Sequence, residues 1–301
     1  MKEKQKKPSG VLIAAVLIII AIIGAIIISG IGESSGNVIV IPLHGIIAID
    51  EDSSLLGTAG ASSTDIVEQI TRAEEDATVK AILLDINSPG GSPVASEEIA
   101  HAISQTTKPI VALIRETGTS GAYWAASSAD HVIASRMSIT GSVGVLGSYL
   151  EYADLLSRFN ITEQRLVAGK YKDLGNPAKK LSSAEKNLLQ QKIDLMQTYF
   201  LEEVQNNRNL TEDEVDTIST GVFYLGTEAL DLHLIDEIGN EKTAIAYLES
   251  AAVLNETVTL KTYPVHKSLI EELAGLTNQI GFSTGRGMAS TLLEKKFTIT
   301  T

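Results

Sequence analysis

The sequence predicts an α/β domain whose parallel sheet is covered by helices, preceded by one transmembrane helix. Three observations lead there. Short apolar runs alternate with stretches of helical spacing, glycine-rich turns follow two successive apolar runs, and an uncharged stretch over 8–32 precedes them all.

That first stretch is rich in Ile, Leu, Val and Ala over 11–29, long enough to cross roughly 30 Å of hydrocarbon as a helix. Lys2, Lys4, Lys6 and Lys7 stand before it against a single Glu3, which keeps the N-terminus in the cytoplasm and sends the remaining chain outward. A cleaved signal peptide is the alternative, but it needs an apolar core of only about 7–15 residues and an Ala-x-Ala-like site, which Ser29-Gly30-Ile31-Gly32 matches poorly. The expected organisation is a cytoplasmic N-terminus over 1–9, an anchor over 10–32, a polar linker over 33–37, a folded domain over 38–263, and a C-terminal helix and flexible tail over 264–301.

Within the domain, Val38 to Ile41 reads as a first buried strand. Thr64 is taken as the cap of a helix whose Ile66, Val67, Ile70 and Ala73 share one face. Residues 81–86 form a second strand, and Ser92-Pro93 opens a helix running through His101 to Ser104. A third strand covers 110–114, a small-residue helix 120–129, and the strand pattern continues at 132–134 and 142–146. Strand, turn and helix repeated in this way imply a parallel sheet covered on both faces. Ser182 and Glu185 form a capping box for a long helix to about Asn207, with an apolar stripe at Leu188, Leu189, Ile193, Met196 and Phe200 suited to core packing or a subunit contact. Past Pro264, Leu269, Ile270, Leu273 and Leu276 have amphipathic spacing beside Glu271 and Glu272.

Composition narrows the function. The net charge of −13 becomes more negative once the anchor's lysines are set aside, which argues against nucleic acid. No cysteine is present, so disulfides, thiolate metal sites and cysteine nucleophiles are excluded. Sequons at Asn160, Asn209 and Asn255 are acceptors for glycosylation in an extracellular setting.

Ligand sites in parallel sheets gather beyond the carboxyl ends of the strands. The second strand ends in Asn87-Ser88-Pro89-Gly90-Gly91-Ser92, where glycines let backbone amides approach a bound oxygen. The third leads into Gly118-Thr119-Ser120-Gly121-Ala122-Tyr123, where Ser120 would open a helix whose free N–H groups favour a developing oxyanion. Each turn alone is equally an ordinary glycine turn, with Ser120 a helix cap. Two at successive strand ends point to a site.

These turns, with Gly141-Ser142-Val143-Gly144-Val145, Gly169-Lys170-Tyr171-Lys172 and the segment from Gly226 to Gly239, resemble the signal peptide peptidase A family in order and spacing, over roughly 38–247. The resemblance is to the single-domain form and implies a ClpP/crotonase-like fold and a membrane-anchored serine endopeptidase that degrades residual signal peptides or other apolar peptides. It places the nucleophile on Ser120, the general base on Lys172, and a serine that hydrogen-bonds the base on Ser142. Gly91 and Gly121 are the amides expected to form the oxyanion hole. A serine hydroxyl needs a neighbour to take its proton, and a Ser–Lys pair is one known solution. A free lysine titrates near 10.4, so a lysine base that is largely neutral at pH 7 needs a depression of over 3 units, about 4–5 kcal/mol. By spacing alone Lys170 competes with Lys172, and either reads equally as a solvated surface lysine. Two departures stand out: Ala122 replaces a glycine, where a methyl group would narrow the cleft, and His233 replaces a glycine in the closing motif.

The resemblance further implies no metal or organic cofactor, peptide substrates, the lipid bilayer as a neighbour, and a homo-oligomeric ring in which the dyad is completed between subunits. The segment 161–169 would project toward that neighbour. The implied location is a prokaryotic plasma membrane, crossed once, with the catalytic domain outside. Rival readings are a catalytically silent membrane scaffold, an α/β-hydrolase-like esterase recruiting Asp231 and His266, and a histidine base at His131. Ser183-Ala184-Glu185-Lys186 also fits Ser-x-x-Lys, though without the partner motifs of that enzyme class and with the capping box as the simpler account.

Overall fold

A computed structural model describes residues 36–50, 60–250 and 253–263. The expected anchor and the C-terminal amphipathic helix lie outside these residues, and no helix among those described is long and apolar enough to cross a membrane. The chain divides into two compact units, 1–262 and 263–301, and all elements below belong to the first.

The predicted α/β architecture is present. Strands β1 (Val38–His44), β4 (Ala81–Ser88), β5 (Ile110–Thr119), β6 (His131–Ala134), β9 (Glu237–Ile238) and β10 (Leu260–Lys261) pair in parallel in the order β10-β1-β4-β5-β6-β9. A short branch, β7 (Ile139–Gly141), runs parallel to the end of β5 and pairs antiparallel with β8 (Phe223–Leu225). Two dipeptide strands, β2 (Ile47–Ala48) and β3 (Ala61–Ser62), form a separate pair.

Alternation along the strands sends side chains to opposite faces, so a sheet covered on both faces needs near-continuous apolar runs. On one face Val38, Leu83, Val111, Leu113 and Ile133 pack with Ala244 and Leu248 of helix α8 (Glu241–Glu249). The other face carries Ile39, Ile41, Ile82, Leu84 and Ala112, all buried. Helices α1 (Ser63–Glu75), α2 (Pro93–Gln105) and α3 (Gly121–Ser127) pack on this side, each contributing small or branched residues such as Ile66, Ile99 and Ala122. The remaining helices are α4 (Ala153–Arg158), α5 (Ser183–Arg208), α6 (Glu212–Ile218) and α7 (Gly226–Asp231).

Several boundaries differ from the sequence reading. The cap of α1 is Ser62, whose hydroxyl accepts from Asp65 N–H at 3.2 Å, whereas the Thr64 hydroxyl donates to Ile49 O at 3.0 Å. The strand expected at 142–146 is absent; β7 lies just before it, because Gly141 and Ser142 both have positive φ, 73° and 52°, and turn the chain out of the sheet. The third strand continues to Thr119, past the expected 114, and a register shift against β4 between Ile86 and Ser88 lets its end reach the glycine turn. Ser182 and Glu185 do form a capping box, so the Ser-x-x-Lys match at Ser183 is a helix start.

Candidate active site

Two glycine turns meet at the carboxyl end of β4 and β5. Gly90 has φ 96°, and a Cβ there would lie 2.8 Å from Gly121 N and 2.9 Å from Ser120 Cβ. On Gly91 a Cβ would sit 2.0 Å from Ile47 O, and Ile47 N–H and Ser92 N–H bond on either side of it, to Gly90 O and Ile47 O. Only glycine permits this approach. The loop is pinned by the Ser88 hydroxyl, which donates to Gly45 O at 2.6 Å, and by Thr119 Oγ1, which donates to Pro89 O at 3.1 Å.

Ser120 joins β5 to α3 at φ 53° and ψ −128°, a conformation that non-glycine residues adopt only when their surroundings impose it. Here the surroundings do: Ser120 N–H donates to Gly141 O at 2.9 Å, and Ser120 O accepts from Trp124 N–H at 3.0 Å. A strained serine on a sharp strand-to-helix turn presents its hydroxyl rather than burying it. Among the described residues, the Ser120 hydroxyl makes no side-chain hydrogen bond, so the bland reading of Ser120 as a side-chain helix cap is not what the geometry does. The amides of Gly91 and Gly121 likewise donate to no protein acceptor among the described residues. They lie close together: the place of a Cβ on Gly121 is 3.6 Å from Gly91 N, and that of a Cβ on Gly90 is 2.8 Å from Gly121 N.

Ser120, Gly91, Gly121 and Ser142 line one cleft of about 790 Å³. Its apolar wall residues are Val94 from α2, Trp124 from α3, Leu146, and Ile193, Met196 and Phe200 from α5, with Glu97, Gln190 and Asp194 among the polar ones. Trp124 and Phe200 stack at 4.9 Å between ring centroids. The stripe predicted on α5 therefore serves both core and cleft. Ser142 donates to Gly221 O at 3.2 Å while its N–H donates to Val222 O at 3.1 Å. Ala122 is fully buried and does not line the cleft, so its methyl group does not narrow it, contrary to the expectation. His233 sits at φ 56°, in the left-handed region that favours glycine, so the departure noted in the sequence falls at a position where glycine would be unstrained.

Lys172 is the residue the structure does not bring in. It is exposed, outside the cleft lining, in a turn where its N–H donates to Gly169 O at 3.2 Å. Every residue from 161 to 172 is exposed. Lys170 lies over the Tyr171 ring at 4.9 Å, and hydrogen bonding to Tyr171 holds its ammonium above the usual lysine range. The rival base His131 stacks on Tyr247 at 3.8 Å, 16% exposed, away from the cleft. Asp231 closes α7, also away from the cleft, and His266 lies outside the described residues.

One wall went unread in the sequence. Ser219, Thr220 and Gly221 line the cleft, joined to the Ser142 turn by Gln197, which donates to Val143 O at 3.0 Å and Ser219 O at 3.4 Å. The only local signal was Gly221, at φ 73°.

Residues 102–255 match the model of peptidase family S49, and this stretch holds Ser120, Ser142 and Lys172. The chain belongs to this family. A Methanocaldococcus jannaschii protein named as a protease is 34% identical over 222 residues, covering 73% of this chain and 70% of the relative. An Enterococcus faecium protein named as signal peptide peptidase SppA is 29% identical, covering 76% and 68%. Protease 4 of Haemophilus influenzae is 28% identical over 68% of this chain and 34% of its own length. The S49 chain is thus a serine peptidase of the signal peptide peptidase A family.

Proposed function

We propose that this serine peptidase is a membrane-anchored endopeptidase that uses Ser120 as nucleophile and Lys172 as general base to degrade residual signal peptides or other apolar peptides at a prokaryotic plasma membrane. The carrying observation is Ser120 itself: a strained serine whose hydroxyl, like the nearby amides of Gly91 and Gly121, has no hydrogen-bond partner among the described residues, in a cleft with Trp124, Met196 and Phe200 in its wall. Ser120 Oγ attacks the scissile carbonyl carbon as its proton passes to Lys172 Nζ. The carbonyl oxygen, now negative, accepts from Gly91 N–H and Gly121 N–H. Collapse expels the amine, which takes the proton from the base, and water then hydrolyses the acyl-serine by the same steps in reverse order of roles. Ser142 Oγ, lining the cleft and donating to Gly221 O, keeps a lone pair for the lysine ammonium.

Since Lys172 lies outside its own cleft, the base comes from a neighbouring subunit in a ring. Exposed apolar side chains support such a contact: Leu146, Leu150, Phe159 and Leu166 lie on or beside the segment that carries Lys172, and Leu166 is 100% exposed. The uncharged stretch 8–32 behind four lysines supports the anchor and the outward-facing domain. Trp124, Met196 and Phe200 in the wall favour apolar substrate side chains. The test is labelling by a fluorophosphonate. The full-length protein should be modified at Ser120, with peptide hydrolysis lost in proportion, and Ser120→Ala should take up no label. Folded protein that neither labels nor cleaves a mixed peptide library would leave a silent scaffold as the better account.

A further inference from the structure

The turn that bears Lys172 has no regular secondary structure, yet it is held by charge. Asp173, the next residue, has a side chain only 7% exposed, its carboxylate paired with Arg165 and with Lys179, whose Nζ is 3.2 Å from both of its oxygens. Lys179 also pairs with Glu185, whose side chain is 7% exposed. Glu185 Oε2 in turn accepts from Ser182 N–H at 2.9 Å and from the Ser182 hydroxyl at 2.8 Å, completing the capping box of α5. An unbroken series, Arg165, Asp173, Lys179, Glu185, therefore links the Lys172 turn to the first turn of the long helix.

Backbone turns fill the interval. Lys172 N–H donates to Gly169 O at 3.2 Å, Asn176 N–H to Asp173 O at 3.1 Å, and Lys179 N–H to Asn176 O at 3.1 Å. Carboxylates so covered are stable only when paired, and removing one partner strands the other. The hydrogen bond from Lys179 holds Glu185 down at about 2, and Glu185 in turn raises Lys179, so both are charged across the neutral range. A surface segment that needed only solubility would leave such charges in water, as Lys180 and Asp154 are left, both mostly exposed.

We propose that Asp173, Arg165, Lys179 and Glu185 are positioning residues for the reaction: they fix the Lys172 turn on the N-terminus of α5, so that the base is presented in one place. The proposal rests on the reading of Lys172 as the base. It also gives α5 a double duty, because the same helix walls the cleft through Ile193, Met196 and Phe200.

Steady-state kinetics on the full-length protein test it, with Lys172→Ala as reference and Lys180→Met as an ion-pair control. Asp173→Asn and Lys179→Gln should each lower kcat on the order of 10- to 100-fold with KM changed less than about twofold, since misplacement of the base affects the transition state and not ground-state binding. Lys179→Arg should restore most of kcat, and Lys180→Met should leave it unchanged. A folded Asp173→Asn variant with wild-type kcat would overturn the proposal. Should that variant fail to fold, Lys179→Gln, at the solvent edge of the network, decides by the same criterion; if neither folds, the network is a stability clamp and the proposal falls. Activity retained in Lys172→Ala would instead remove the base assignment, a separate outcome.

Discussion

Ser120 holds a backbone conformation that costs on the order of 1–3 kcal/mol, and the hydrogen bond to Gly141 and the packing of Gly90 against it maintain that strain. The proposed base is argued at the same scale. Lys170 and Lys172 are equivalent by spacing; Lys170 lies over the Tyr171 ring, whereas the family resemblance falls on Lys172. Lys172→Ala should therefore reduce kcat to background with the fold intact by circular dichroism, whereas Lys170→Ala should keep most of it; the reverse result would reassign the base. A second substitution probes the oxyanion amides. Gly121→Ala would put a Cβ 2.0 Å from Ser96 Oγ, displacing the turn, so loss of labelling at Ser120 is expected even though the nucleophile is untouched. The two glycine turns and Ser120 could be singled out in the sequence because a glycine that tolerates no Cβ and a serine at a strand end leave a mark in a few letters, whereas Lys172 was singled out over Lys170 only by the family resemblance. Ser219 to Gly221 left almost none, since they reach the cleft only through the tertiary pairing of β7 with β8.

At the scale of elements, α5 is the part with most consequences. It has 26 residues, about 39 Å at 1.5 Å per residue, and joins the charged turn at one end to the Trp124–Phe200 stack farther along. Phe200 is 2% exposed, so Phe200→Ala should destabilise by about 3–5 kcal/mol, measured by urea unfolding, while also opening the cleft wall. Acid stability is set at helix starts and ends. Glu185 is held at about 2, first by Lys179, and Glu214 at about 2, first by the Thr211 amide; Glu74 is held at about 2, first by the Thr106 hydroxyl, all against an ordinary 4.5. Their folded-state values lie below the unfolded ones, so the stability they add is fully present above about 4.5 and is lost as pH falls toward about 2. The urea midpoint should be level from pH 6 to 8 and fall between roughly pH 4.5 and 2, and Glu185→Gln should flatten part of that fall. Helix α5 and its capping box were plain in the sequence because both lie within a few adjacent residues. Strands β8, β9 and β10, of two or three residues each, were not, because nothing but pairing with a neighbour defines them.

Across the whole molecule, the cleft gathers Ser120, Gly91, Gly121 and Ser142 but not Lys172, the proposed base, and the segment carrying that lysine is exposed throughout 161–172. If Lys172 is the base, a cleft that lacks it and an exposed segment that carries it on one chain are complementary parts of a head-to-tail contact, and such a contact repeated by rotation closes into a ring. The charge network ties the Lys172 turn to the start of α5, and the exposed Leu146, Leu150 and Leu166 offer apolar surface that the proposed contact would cover. A ring of this kind makes a strong prediction about mixtures. Under the proposed dyad, Ser120→Ala subunits retain the base and Lys172→Ala subunits retain the nucleophile, so each homo-oligomer should be inactive. In a mixed ring, every interface that joins an intact Ser120 to an intact Lys172 of the adjacent subunit should be active, and activity should rise with mixing and peak near equal proportions. Subunit exchange is verified by two affinity tags purified in tandem. Mixed oligomers without activity would mean that Ser120 and Lys172 act within one subunit, with the 161–180 segment folding back over its own cleft.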